Sequence, residues 1–104
     1  MKNSMVPELH PEAVRDFYEQ LRYLEEKQCS LLTLQKFVHA IREGRDKIGR
    51  NPMTWRLVHG SKRVRQVPVK SFRYIIYYLL QPNGIPLILE FAGPGRLPKW
   101  KKRI

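Results

Sequence analysis

The hydrophobic period of this chain changes once, at Asn51-Pro52, from the three-to-four-residue step of helices to the two-residue step of strands. Upstream, Val14, Phe17, Tyr18, Leu21 and Leu24 make one apolar stripe, and Leu34, Phe37, Val38, Ile41 and Ile48 make a second. Pro11 stands in the first turn of the first helix, where its missing N–H leaves no bond unmade. Ser30 is the expected N-cap of the second helix, and Gly49 with Asn51-Pro52 marks its end. Two successive amphipathic helices over about 11–50 predict a helical hairpin.

Downstream, Lys62–Val69 alternates, with Arg63, Arg65 and Val67 on one side of the pleat and Val64 and Gln66 on the other. Phe72–Leu80 is aromatic, β-branched and apolar on both faces, as a central strand is. Gln81-Pro82-Asn83-Gly84 has turn chemistry, and Ile85–Phe91 is the returning strand of a β-hairpin. A short strand near Ser4–Leu9 completes a β-α-α-β-β-β order. The expected fold is α+β, a small twisted antiparallel sheet with the two-helix hairpin on one face. It is expected to be one domain over 1–104, with a basic sheet at about 56–92 and a basic C-terminal segment at 93–104.

Charge is divided as sharply as periodicity. Residues 1–50 carry nine Lys/Arg against eight Asp/Glu, whereas residues 51–104 carry eleven against Glu90 alone. The basic half also holds the strand signals, so its charge sits on folded structure and predicts contact with a polyanion, either nucleic acid or an acidic protein. With 42% hydrophobic residues the chain is too apolar for a disordered basic arm. Its longest apolar runs, Tyr74–Leu80 and Ile85–Ala92, are far shorter than the roughly 20 residues of a membrane helix. A lone Cys29 and no secretory signal point to the cytoplasm.

Several side chains invite chemistry. His10, His39 and His59 fall on separate elements without zinc spacing, so neither metal nor any other cofactor is expected. Gly93-Pro94-Gly95 lacks the features of a phosphate loop. Tyr74, Tyr77 and Tyr78 read as core packing before they read as base-stacking platforms. Trp100 reads as a lid over the core or as a stacking platform. Glu90, the one acid of its half, reads as the partner of an arginine on a neighbouring strand or as a general base. Lys99, Lys101, Lys102 and Arg103 read as a polyanion contact or a solubilising tail.

The chain resembles the RelE/ParE superfamily of toxins from type II toxin–antitoxin (plasmid stabilisation) systems. Pro11-Glu12-Ala13 with Asp16, Asn51-Pro52, Val64-Arg65, Phe72-x-Tyr74-x-Ile76-Tyr77-Tyr78 and Arg96-Leu97-Pro98-Lys99-Trp100 follow one another as in that family. The resemblance implies a cognate antitoxin as partner, and a target that is either the ribosome with its mRNA or DNA gyrase. By position Arg65, Arg73 and Arg96 resemble the basic residues of the family's concave sheet face, with Lys62, Arg63, Lys99, Trp100, Lys101 and Lys102 as further binding residues. Metal-free RNA cleavage would use such cations to stabilise the phosphorane and to move protons. Gly93 stands where many members have histidine. Gyrase poisoning, which is not enzymatic, and ribosome-dependent mRNA cleavage both fit. So does a basic nucleic-acid-binding module without toxicity, or a degenerate toxin kept for its antitoxin.

Overall fold

The computed structural model describes residues 5–104, beginning with strand β1 (Glu8–Leu9). Helices α1 (Pro11–Glu26) and α2 (Leu31–Arg50) follow, then strands β2 (Arg56–Leu57), β3 (Val64–Val69), β4 (Tyr74–Leu80) and β5 (Pro86–Ala92). The fold is α+β and keeps the expected order, with two-residue β2 added to it. Of the strand expected near Ser4–Leu9, Ser4 lies outside the described residues.

Local chemistry sets the helix ends. The His10 imidazole caps α1, its Nδ1 accepting from Glu12 N–H at 3.0 Å, and Pro11 occupies the first turn. Ser30 caps α2 by accepting from Thr33 N–H at 3.1 Å. Lys47 and Arg50 in its last turn complement the helix dipole, and Asn51 ends it. Near that end Gly49 packs so tightly that a β-carbon there would collide with the Met5 carbonyl oxygen.

The strands lie in the order β1-β5-β4-β3-β2. β5 pairs antiparallel with β4, β4 with β3 and β3 with β2, whereas β1 runs parallel to β5, so the sheet is mixed and not wholly antiparallel as expected. The β4–β5 turn follows its sequence: Gly84 takes φ +84° and donates to the Gln81 carbonyl at 2.8 Å. β4 begins two residues later than its aromatic run. Lys70–Phe72 forms a 3₁₀ turn and Arg73 takes a left-handed φ of 57° before Tyr74.

Both helices cover one face of the sheet. Phe37 of α2 is fully buried at the centre, stacked on Phe17 at 5.8 Å and edge-on to Phe72 and Tyr74 at 5.4 and 5.6 Å. Such aromatic pairs each contribute about 0.5–1.5 kcal/mol beyond area burial. Val67, Val69, Ile76, Tyr78 and Ile88 complete this layer from the sheet side. On the opposite face Val64, Tyr77, Leu79, Leu89 and Ala92 cluster under Trp100, which begins a 3₁₀ turn at Trp100–Arg103. The three strand tyrosines are core residues, as the sequence predicts. Trp100 is the lid and not a stacking platform: it is 6% exposed, with its ring 6.4 Å from that of Tyr77.

Candidate functional site

Of the three arginines singled out from the sequence, Arg65 is set apart, whereas the Ile75–Ala92 pairing brings the starts of the Arg73 and Arg96 segments to one end of the sheet. Arg65 lies opposite Tyr78 in the β3–β4 register, on the helix-covered side of the sheet. Its guanidinium donates to the Trp55 carbonyl at 2.7 Å and so ties the segment before β2 to β3. Arg73 is exposed at the opposite end of β3, in the left-handed step before β4. Arg96 is exposed in the loop after β5. None stands on the sheet face opposite the helices, which the C-terminal segment and Trp100 cover in part. The expectation of a concave basic face is corrected accordingly. Strand alternation already put Arg65 beside core-facing Val67.

Arg96 and Lys99 line a small cleft with Asp16, Glu19, Tyr23, Tyr74, Glu90 and Gly93. The cavity is about 60 Å³, room for a few waters and not for a nucleobase. Its lining mixes both signs of charge, so it is not an anion site by sign alone. Burial pushes the Tyr74 hydroxyl up to about 12, with the charge of Arg96 working in the opposite direction. That phenol is therefore a neutral donor at physiological pH. A β-carbon on Gly93 would lie 3.3 Å from the same hydroxyl, so Gly93 is held close to Tyr74.

Glu90 is 3% exposed, and its Oε1 accepts from the Lys99 backbone N–H at 2.7 Å. It anchors the C-terminal segment instead of pairing with a strand arginine. A register shift at Tyr77/Tyr78 lets Leu89 intervene between the paired residues Ile88 and Glu90. Such a bulge re-aims side chains, and Leu89 packs beneath Trp100. Arg103, read from sequence as part of a tail, is the second anchor: it pairs with Asp16 at 2.6 Å and donates to the Leu89 carbonyl at 2.8 Å. Its partner lies far off in sequence, which is why no local signal marked it.

Lys62 and Arg63 sit together in the β2–β3 connection, exposed, and with Arg56 they crowd one edge of the sheet. Arg56, which sequence reasoning passed over, is brought there by its pairing with Gln66. Lys99, Lys101 and Lys102 are exposed on the C-terminal segment, with Lys101 Nζ 5.8 Å from the Trp100 ring centre. No cluster of three His, Cys, Asp or Glu among the described residues has the geometry to hold a metal ion. No helix among them is long and apolar enough to cross a membrane.

Between α1 and α2 runs an apolar groove of about 230 Å³ lined by Val14, Phe17, Tyr18, Val38 and Ile41, with Arg42 and Arg45 at its rim. Tyr18 is 63% exposed beside it, and Leu31 and Leu32 at the start of α2 are 70% and 59% exposed. Comparison with protein-family models, curated proteins and solved structures finds no match to this chain.

Proposed function

We propose that this chain is the toxin of a type II toxin–antitoxin pair in the bacterial cytoplasm, and that it acts by contact with a protein target and not by cutting RNA. The observation that carries this reading is the frame into which the quoted motifs fall: Asn51-Pro52 at the end of α2, Tyr74–Tyr78 in central β4, Arg96–Trp100 in the segment after β5. The non-enzymatic branch is supported by the separation of Arg65 from the end of the sheet that carries Arg73 and Arg96, and by the burial of Trp100. Phosphorane stabilisation needs several cations and proton-transfer groups around one phosphate, and Arg65, tied to the Trp55 carbonyl towards the other end of β3, does not join Arg73 and Arg96 there.

The antitoxin supplies an amphipathic segment with carboxylates, seated in the α1–α2 groove with its acids toward Arg42. A protein carrying +11 gains association rate from such complementarity. Induced expression in a bacterial host, with protein and DNA synthesis followed separately by pulse labelling, tests the reading. Falling DNA synthesis with filamenting cells is expected. An immediate fall in translation with cleaved mRNA overturns the protein-contact mechanism, and unimpaired growth overturns the toxin role.

A further inference from the structure

From Lys47 to Leu89 the chain contains no Asp or Glu, and the fold gathers much of that stretch's positive charge along one edge. The gathering has identifiable causes. Trp55 Nε1 donates to the Lys47 carbonyl at 3.4 Å, bringing the segment before β2 against the last turn of α2. The Tyr78 hydroxyl donates to the Pro52 carbonyl at 2.6 Å, and Arg65 holds the Trp55 carbonyl, so that segment is fixed on both sides. β2 then lays Arg56 opposite Gln66, and Ser61 Oγ accepts from Arg63 and Val64 N–H to shape the tight connection that presents Lys62 and Arg63.

Lys47, Arg56, Lys62 and Arg63 are exposed, and none of them forms an ion pair among the described residues. Lys99 of the C-terminal segment differs. It shares its cleft with Asp16, Glu19 and Glu90, which offset its charge. Half-buried Trp55 lies within the edge, and the apolar groove that an acidic peptide would need lies elsewhere, between the helices.

We infer that this β2 edge, from Lys47 through Trp55 and Arg56 to Lys62 and Arg63, is a binding surface for the phosphodiester backbone of a nucleic acid. A run of exposed cations with no ion pair among the described residues suits a regularly spaced polyanion, and the solvent-facing part of half-buried Trp55 lies within that run, where a base can rest against it. Backbone contact carries no base code, so the surface is not sequence-specific. This inference does not rest on the toxin reading, and a binding assay on purified protein separates the two.

Fluorescein-labelled 20-nucleotide RNA, DNA of the same sequence and the DNA duplex are titrated with the full chain between 50 and 200 mM KCl. Four or five phosphate contacts give a slope of log K against log salt of about −3 on single strands. The Arg56→Ala/Lys62→Ala/Arg63→Ala variant should lose about 2 of that slope and at least about tenfold in affinity at 100 mM, with unchanged far-UV circular dichroism. A Lys99→Ala/Lys101→Ala/Lys102→Ala variant should stay within about threefold of the parent. RNA and DNA strands should bind within about fivefold of each other, and the duplex no more tightly. Absence of binding by the parent, equal loss from both variants, a strong preference for one strand chemistry or for duplex, or displacement by polyglutamate at equal charge would each overturn the assignment.

Discussion

Asp16 and Arg103 form a two-point ion pair, at 2.6 and 3.2 Å, that stands in for a missing strand beside β5. β1 covers only Leu87 and Ile88, so the edge of β5 beyond them is unpaired by any strand. There Asp16 Oδ2 accepts from Phe91 N–H at 3.2 Å, and Arg103 donates to the Leu89 carbonyl at 2.8 Å. The two side chains thus meet a donor and an acceptor as a neighbouring backbone would, and they tie α1, β5 and the C-terminal turn together. The side chains of Arg103 and Asp16 are only 8% and 15% exposed, so screening by salt is weak. Arg103→Ala leaves a nearly buried carboxylate without its partner and should lower stability by about 3 kcal/mol in urea titration. In a double-mutant cycle with Asp16→Ala the two losses should be non-additive by about 1–3 kcal/mol. Additive losses would show that the pair is not a unit.

Arg65 and Arg96, grouped by their resemblance to one basic face, should separate on substitution. Arg65→Ala removes a charged donor from the Trp55 carbonyl and loosens the segment leading to β2, a loss of about 2 kcal/mol. Arg96 is exposed and makes no side-chain hydrogen bond among the described residues, so Arg96→Ala should stay within about 0.5 kcal/mol of the parent. Growth arrest on induction should be relieved by Arg96→Ala at full protein abundance. Two variants that both remain fully toxic would remove these residues from the functional surface.

Gly93 offers a direct check on the branch of function. Its backbone is not in the left-handed region, and the obstacle to a side chain is the Tyr74 hydroxyl at 3.3 Å. Gly93→His should therefore fold, with Tyr74 yielding a few tenths of an ångström and stability falling by about 1 kcal/mol. It should not confer mRNA cleavage, because Arg65 is held at the Trp55 carbonyl towards the other end of β3 and does not reach a phosphate beside that imidazole. Mapping of transcript ends after induction checks this, and new ribosome-dependent cuts would return the chain to the nuclease branch.

Much of the fold was legible because each element announces its own period and ends: the stripes of α1 and α2, Ser30 and Asn51 as caps, Gln81–Gly84 as a turn. What was hidden depends on partners distant in sequence. The parallel pairing of β1 to β5, the bulge at Leu89 and the Asp16–Arg103 pair have no local signature. The candidate site suffered for the same reason. Charge composition located the basic half and alternation put Arg65 on the side of Val67, but only strand register brings Arg56 to the other side, beside Gln66.

Alkaline pH should unfold this protein through its core tyrosines. The Tyr78 hydroxyl, donating to Pro52, is pushed up to about 12 by burial, and the nearby charge of Arg65 offsets only part of that effect. Tyr74 is also raised to about 12 by burial, with Arg96 opposing, and Tyr77 is raised by burial and then by Glu90. In the unfolded chain these phenols titrate near 10. Between those values the folded state holds protons that the unfolded state has released, so stability falls as pH rises. The contribution is complete below about pH 10 and is lost as pH climbs through about 12. Urea midpoints should therefore hold steady from pH 8 to just under 10 and decline above it. Tyr78→Phe should start about 1 kcal/mol lower, from the lost hydrogen bond, and decline less steeply. A variant as steep as the parent would place the alkaline transition in other groups.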